Sequence, residues 1–469
     1  MSPKNWLREA DRLGPLKPRL LFPDSSRLVH VARRMTAPLR PLLFVGFCAV
    51  LFGLLVGCKS SEQRDDSNVS SSSARTAIQP DIVAPSSSVR TVQLYRGDDE
   101  QSLPVFSLNG GAPLTLEFDL MAEEGRPLSI YFQHADRHWR RDLTASQTLE
   151  SFQDDRLLEY RSSQGTRVPY VHYKYRVPND DIRFRISGNY ILRVTERGRR
   201  DSVLFEHPFF VAEEEGRLQL GAQPLTISGQ RVPSLQPVAR YRPPSSIQGD
   251  PFGHTVCFIR NGRLTDTRCE ERPLLVQQPE LEFELGRERA YAPITANYEL
   301  DLSDLRATSE IVQVDRTQSP PQAQLEPDYA RFGEGRGRTM GNGQPIVRGA
   351  LPSQLNPEVS AEYVETTFAF VPSGERPYTS PLLVTGNFNG LNSGRGTRME
   401  WNSTRGQYED TVLLKQGRYQ YFYSTDDPTY REHVLASQPR ITGTYMAFVY
   451  YRDASLDTDR LLRVNGFSP

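Results

Sequence analysis

His134 and His138, four residues apart in the stretch HADRHW, are the first groups in this chain that could hold a metal. On a helix that spacing would place both imidazoles on one face, as zinc sites do. No glutamate follows the first histidine, so the H-E-x-x-H arrangement is absent, and the strand-like run LSIYFQ precedes both. They read as polar residues at a strand end. The acidic pairs Asp154-Asp155 and Asp180-Asp181 could act as acid and base only across a cleft. Their contexts are turn-like, and they read as solvated turns. The run Gly333-Glu334-Gly335-Arg336-Gly337-Arg338 has the glycines of a phosphate-cradling loop. Such a loop needs a helix behind it to supply amides, and Gly341, Gly343 and Pro345 follow instead. No serine stands in G-x-S-x-G, and Cys257 has no evident partner for nucleophilic work. These residues predict no catalytic site, no metal site and no cofactor.

The cysteines carry a different chemistry. Cys58 ends the stretch PLLFVGFCAVLFGLLVGC, with Arg33, Arg34 and Arg40 before it and a serine-rich segment after it. A charged region, an apolar region and a small-residue cleavage site make a secretory signal. Leu55-Val56-Gly57-Cys58 fits a bacterial lipobox, which places a lipid on the Cys58 sulfur. The apolar run Leu42–Val56 is shorter than the about 20 residues of a membrane span, although an uncleaved anchor is the alternative. A start at Met35 would give a leader of ordinary size. Lys59 directly after the cysteine favours the outer membrane, facing the periplasm. Cys257 and Cys269 are a possible disulfide, which an exported compartment permits. They flank the hairpin signal Asn261-Gly262. A regular two-residue turn pairs Cys257 with Asp266 and Cys269 with His254, so only a bulge would let the two cysteines meet.

These groups need elements to position them, and the composition favours strands and turns. The chain has 21 Tyr, 22 Phe, 33 Gly and 35 Pro. Residues 58–469 hold 47 basic and 54 acidic side chains, without the basic footprint of a nucleic-acid binder. No small-molecule substrate is implied. The reading is all-β: tandem immunoglobulin-like or early-set antiparallel sandwiches behind a leader (1–57) and a flexible tether (58–88). The sandwiches are placed at 89–212, at 213–357 with a Gly/Pro-rich loop, and at 358–469. Arg141–Glu159 lacks clean alternation and reads as a crossover with a helical turn. In the last unit Asn387, Phe388 and Asn389 form a candidate interaction loop. With Trp401 behind them, they are similar to an early-set sandwich that stacks sugars on exposed rings. Phe388 turned inward to a core is the alternative.

Several segments, in order, carry a more specific likeness. They are TVQLYRG, LPVFSLNGGAPLTLEFD, FQHADRHW, LEYRSSQGTRVPYVHYKYRVPND, RISGNYILRV and HPFFV. Further on stand Asn261-Gly262-Arg263, Tyr363-Val364, GNFN, Tyr408-Glu409, Leu414-Lys415-Gln416-Gly417 with Tyr419, Val449-Tyr450-Tyr451-Arg452 and Asp459-Arg460-Leu461. The chain over about 90–466 resembles the type IX secretion system plug proteins of Bacteroidota. It departs from them at ANYELDL and at Leu264, where the family tends to carry a glycine-rich stretch and a tryptophan. The resemblance implies a non-enzymatic protein that closes the periplasmic mouth of an outer-membrane translocon barrel, so that the membrane does not leak when no cargo is present. Its partners would be that barrel and its accessory proteins, with the lipid as membrane anchor. A carbohydrate-binding outer-membrane lipoprotein is the alternative.

Overall fold

Period-two alternation sets the local structure. In the strand Val171–Val177, Val171, Tyr173, Tyr175 and Val177 are buried, while Arg176 points to solvent. Strands of this kind build the chain in a computed structural model that describes residues 78–227, 233–277, 279–292, 294–295, 297–329, 343–349, 356–430, 440–441 and 443–469. The leader 1–57, Cys58, the tether up to residue 77 and Gly333–Arg338 lie outside the described residues.

Three β-sandwiches follow. Sandwich I packs the sheet Val89–Arg96, Leu114–Leu120, Val171–Val177, Tyr160–Ser162 on a second sheet. That sheet runs Val105–Ser107, Val203–Ala212, Gly188–Glu196, Leu128–Ala135, Asp154–Leu157. Its core stacks Phe118 on Tyr173 at 4.9 Å and sets Phe205 edge-on to Phe118. The crossover expected at Arg141–Glu159 carries one helical turn, Ala145–Thr148. Asp154 and Asp155 do not sit in a turn. They open the edge strand Asp154–Leu157, because Leu157 alternates inward to the core.

Sandwich II packs the sheet Arg217–Leu225, Ser234–Arg242, Glu280–Glu284, Leu275–Gln277 against a second sheet. The latter runs Arg263–Glu270, His254–Arg260, Tyr445–Asp453, Thr458–Phe467. Half of that second sheet comes from the C-terminal end of the chain. Sandwich III, from Tyr298 to Tyr430, lies between the two halves of II as an insertion. Its sheets are centred on Gly417–Ser424 and Tyr363–Val371. The former takes Tyr298–Asp301 and the latter takes Gln322–Leu325, so both draw on residues before 357. The boundary expected at 357/358 therefore runs through shared sheets. Alternation fixes which face of a strand is buried, but not which strand it pairs with.

One further expectation is corrected, and one left open is decided. Residues 78–88, expected as tether, are held on the body: Ile78 bridges to Thr267, Glu206 N donates to Val83 O, and Ser86 N donates to Leu204 O. The hairpin turns on Asn261 and Gly262, both at positive φ as a tight primed turn requires. Arg260 faces Arg263 there, but the register shifts between Phe258 and Arg260, and beyond it Cys257 faces Cys269. The two are disulfide-bonded. The bulge supplies the displacement that a regular ladder lacks.

Candidate functional site

The residues with chemical potential are placed apart, and most are held by the fold. His134 lies within the strand Leu128–Ala135, one residue before its end, fully buried, with Nδ1 2.6 Å from Asp142 Oδ1 and Nε2 3.1 Å from Ser187 O. His138 lies in the next turn, where its N–H donates to Asp136. Asp155 accepts from Tyr175 Oη at 2.8 Å, and Asp181 lends its carbonyl to Phe152 N.

In the loop Asn387–Asn389, all three residues serve the fold. Asn387 is buried; its Nδ2 donates to Gln344 O at 3.0 Å and its Oδ1 accepts from Gln420 N. Asn389 Oδ1 accepts from Gly386 N, while its Nδ2 donates to Arg395 O. Phe388 and Trp401 pack partly buried against the core of sandwich III. Phe388 lies 5.8 Å from Phe368, and Trp401 stands edge-on to Tyr408 at 5.0 Å. Phe388 is thus turned toward the core, as the alternative reading had it, and both rings stay partly exposed.

What the fold does assemble is a set of welds between sandwiches. Between I and III, the Lys415 ammonium lies 2.6 Å from Asp119 Oδ2, with both side chains 1% exposed. Tyr363 Oη donates to the same oxygen at 2.7 Å, and His172 Nδ1 meets the other oxygen at 2.8 Å. Lys415 also sits over the Tyr170 ring at 4.2 Å and donates to Glu358 O. Burial opposes the Asp119 charge, but Lys415 and His172 more than offset it and hold the carboxyl below its usual range. Burial likewise pushes the Lys415 ammonium down, against the pull of Asp119. A charge pair of this kind is costly to desolvate and far costlier to break.

Between I and II the weld is apolar and larger. Ala135, Trp139, Ile191, Phe210 and Ala212 pack on Cys257, Ile259, Phe448, Tyr450 and Leu461. Phe210 and Phe448 are 4.5 Å apart. Polar ties surround them: Arg460 grips Glu213 with two bonds of 2.7 and 2.6 Å, Arg137 reaches Asp459 at 2.8 Å, and Tyr450 Oη donates to Asn189. Between II and III, Arg263 lies over the Phe422 ring at 4.7 Å and donates to Asn297. Burial lowers its pKa to about 10.

The segments that carried the resemblance in sequence are thus largely these contacts. Asn261-Gly262-Arg263 supplies the turn and the arginine to sandwich III; Asn261 also exchanges bonds with Thr444. Lys415-Gln416-Gly417 supplies the buried cation and the glutamine that bonds Glu362 N and Ser303 O. A Cβ on Gly417 would stand 2.3 Å from Ile346 O, so no other residue fits that approach. Sequence reasoning quoted Lys415 but missed its partners Asp119 and His172. In sequence Asp119 takes the polar face of the alternating strand LTLEFDL, like Thr115 and Glu117, and only the structure shows that face to be buried.

One titrating cluster lies inside sandwich III. Asp328 Oδ2 accepts from Tyr421 Oη at 2.8 Å and Tyr423 Oη at 2.7 Å. Burial raises its pKa to about 7, the two hydroxyls working against the rise. A carboxyl whose folded value lies above its unfolded one of about 4 leaves the native state holding more protons between those values. Stability should then fall as pH rises from about 4 to about 7. Urea titrations over that range should show a shallower slope for Asp328→Asn; an unchanged slope would exclude this carboxyl.

Compared with known proteins, residues 89–213 match the family model described as the type 9 secretion system plug protein 1st domain. Among solved structures, a hypothetical protein from Parabacteroides merdae superposes with a TM-score of 0.73 at 20% identity. The match covers 83% of this chain and 99% of that one, which shows a shared fold. A Salmonella alpha-2-macroglobulin matches at a TM-score of 0.17 and 13% identity, over 82% of this chain and 23% of that one, too low to bear on the fold. No curated protein matches the sequence. The family match covers the first sandwich, and the likeness to type 9 secretion plug proteins is shown for that domain. Among the described residues no helix is long and apolar enough to cross a membrane.

Proposed function

We propose that this protein plugs the periplasmic mouth of the outer-membrane barrel of a type IX translocon when no cargo occupies it, and that it does so without catalysis. The match of residues 89–213 to the plug first domain carries this reading. The welds support it. A stopper must keep its shape against a rim, and three sandwiches joined by packed aromatics and a buried ion pair resist deformation. In this reading Cys58 carries the lipid, and the segment behind it tethers the body to the inner face of the outer membrane. Confinement to that surface raises the local concentration at the barrel without any new contact.

Affinity purification of the tagged protein from solubilised outer membranes tests the reading. The expected result is recovery of a translocon barrel that is depleted by Cys58→Ala, while the variant folds normally in the soluble fraction. Recovery of no barrel from membranes that contain it would overturn the proposal.

A further inference from the structure

A groove of about 600 Å³ opens where the three sandwiches meet. Its walls are residues 79–85, the edge of sandwich I at Val89–Val92, and sandwich III from Thr411 to Lys415. Several of its polar side chains are already engaged. Asn389 is used by its own loop, Thr411 Oγ1 meets Thr367 Oγ1, and Glu206 is gripped by Arg141 and Arg193.

What the groove offers is main chain. The strand Gln407–Lys415 pairs with Tyr363–Val371 on one side throughout. On its other side Glu400–Asn402 covers only Gln407–Glu409, because Met399 N turns away to Leu382 O. From Asp410 to Leu414 that side has no strand partner among the described residues, an open edge of about 17 Å. The nearby edge strand of sandwich I shows what such an edge accepts. Leu94 N donates to Gln344 Oε1 at 2.9 Å and Leu94 O accepts from Gln344 Nε2 at 2.7 Å, the paired bonds that a neighbouring strand would make.

The charge on the walls is positive. Arg395 donates to Ile82 O and Arg90 to Val89 O, and neither is ion-paired with a carboxylate among the described residues. His207, also in the wall, has its pKa pushed down to about 4 by burial, so it is neutral and adds no charge.

We propose that this groove takes an extended segment of a partner protein, added as a strand to the Asp410–Leu414 edge. The segment is apolar where it passes Leu103, Leu264 and Leu413, and it carries a carboxylate against Arg395 and Arg90. This goes beyond the plug reading and does not depend on it.

The probe is a fluorescein-labelled peptide, Gly-Ser-Val-Thr-Val-Glu-Val-Thr-Gly, with a second peptide bearing Lys for Glu, both added to the full chain. Anisotropy should show the Glu peptide binding with a Kd below about 1 mM and at least tenfold more tightly than the Lys peptide. Hydrogen exchange should show new protection at residues 410–414. N-methylation of alternate residues along one edge of the peptide should abolish binding, and Arg395→Glu, folded by circular dichroism, should reverse the charge preference. No binding at about 1 mM, equal binding of the N-methylated peptide, or protection elsewhere would overturn the proposal. So would protection of 410–414 that grows with protein concentration alone, which would make the occupant a second copy of this chain.

Discussion

Replacing Lys415 by Met should destabilise the protein by about 3–5 kcal/mol, because Asp119 is left as a buried charge without its main partner. The effect belongs to the weld between sandwiches I and III, so urea unfolding should report a lower midpoint for both. Replacing Asp119 by Leu in the same protein should recover at least half of the loss, since the stranded charge is then gone. A Lys415→Met loss below about 1 kcal/mol would mean that the pair is solvated in solution. The sign of the pH dependence follows from the same pair. The folded pKa of Asp119 lies below its unfolded value of about 4. The stability it contributes is therefore present above pH 4 and lost as pH falls through the folded value. The double variant should be less acid-sensitive than the wild type.

The second large effect lies at the apolar weld. Phe210→Ala should cost about 3–5 kcal/mol, the loss of a buried ring plus the cavity it leaves against Phe448. Phe152→Ala is the control. That ring is 64% exposed, and its loss should stay within about 0.5 kcal/mol. Thermal or urea unfolding distinguishes the two. Equal losses would show that the contact between sandwiches I and II adds nothing to stability. Unequal losses, with separate transitions appearing for Phe210→Ala, would show that this weld makes the body behave as one cooperative unit.

The sequence went far on local matters. Alternation in LTLEFDL, VHYKYRV and YMAFVYYRD marks strands because successive side chains point to opposite faces. Asn261-Gly262 marks a hairpin because both positions need positive φ. The strands of the first sandwich, which pair with one another between Val89 and Ala212, were legible as strands. The resemblance was legible too, though the role of its residues was not. Lys415 and Arg263 look like ordinary surface charges until the sandwich that covers each is known.

By itself, then, the sequence determined the class of structure, the turns and the family likeness, all of which depend on near neighbours along the chain. The tertiary structure decided the rest. It placed sandwich III inside sandwich II, with Cys257 across from Phe448 in one sheet and Tyr298 across from Tyr421 in another. It shifted the register at Phe258 so that two cysteines meet, and it buried Asp119 beside Lys415, 296 residues away. Pairing and burial are settled by which surfaces can be closed together, and residues far apart in sequence carry no local mark of the partner they will meet.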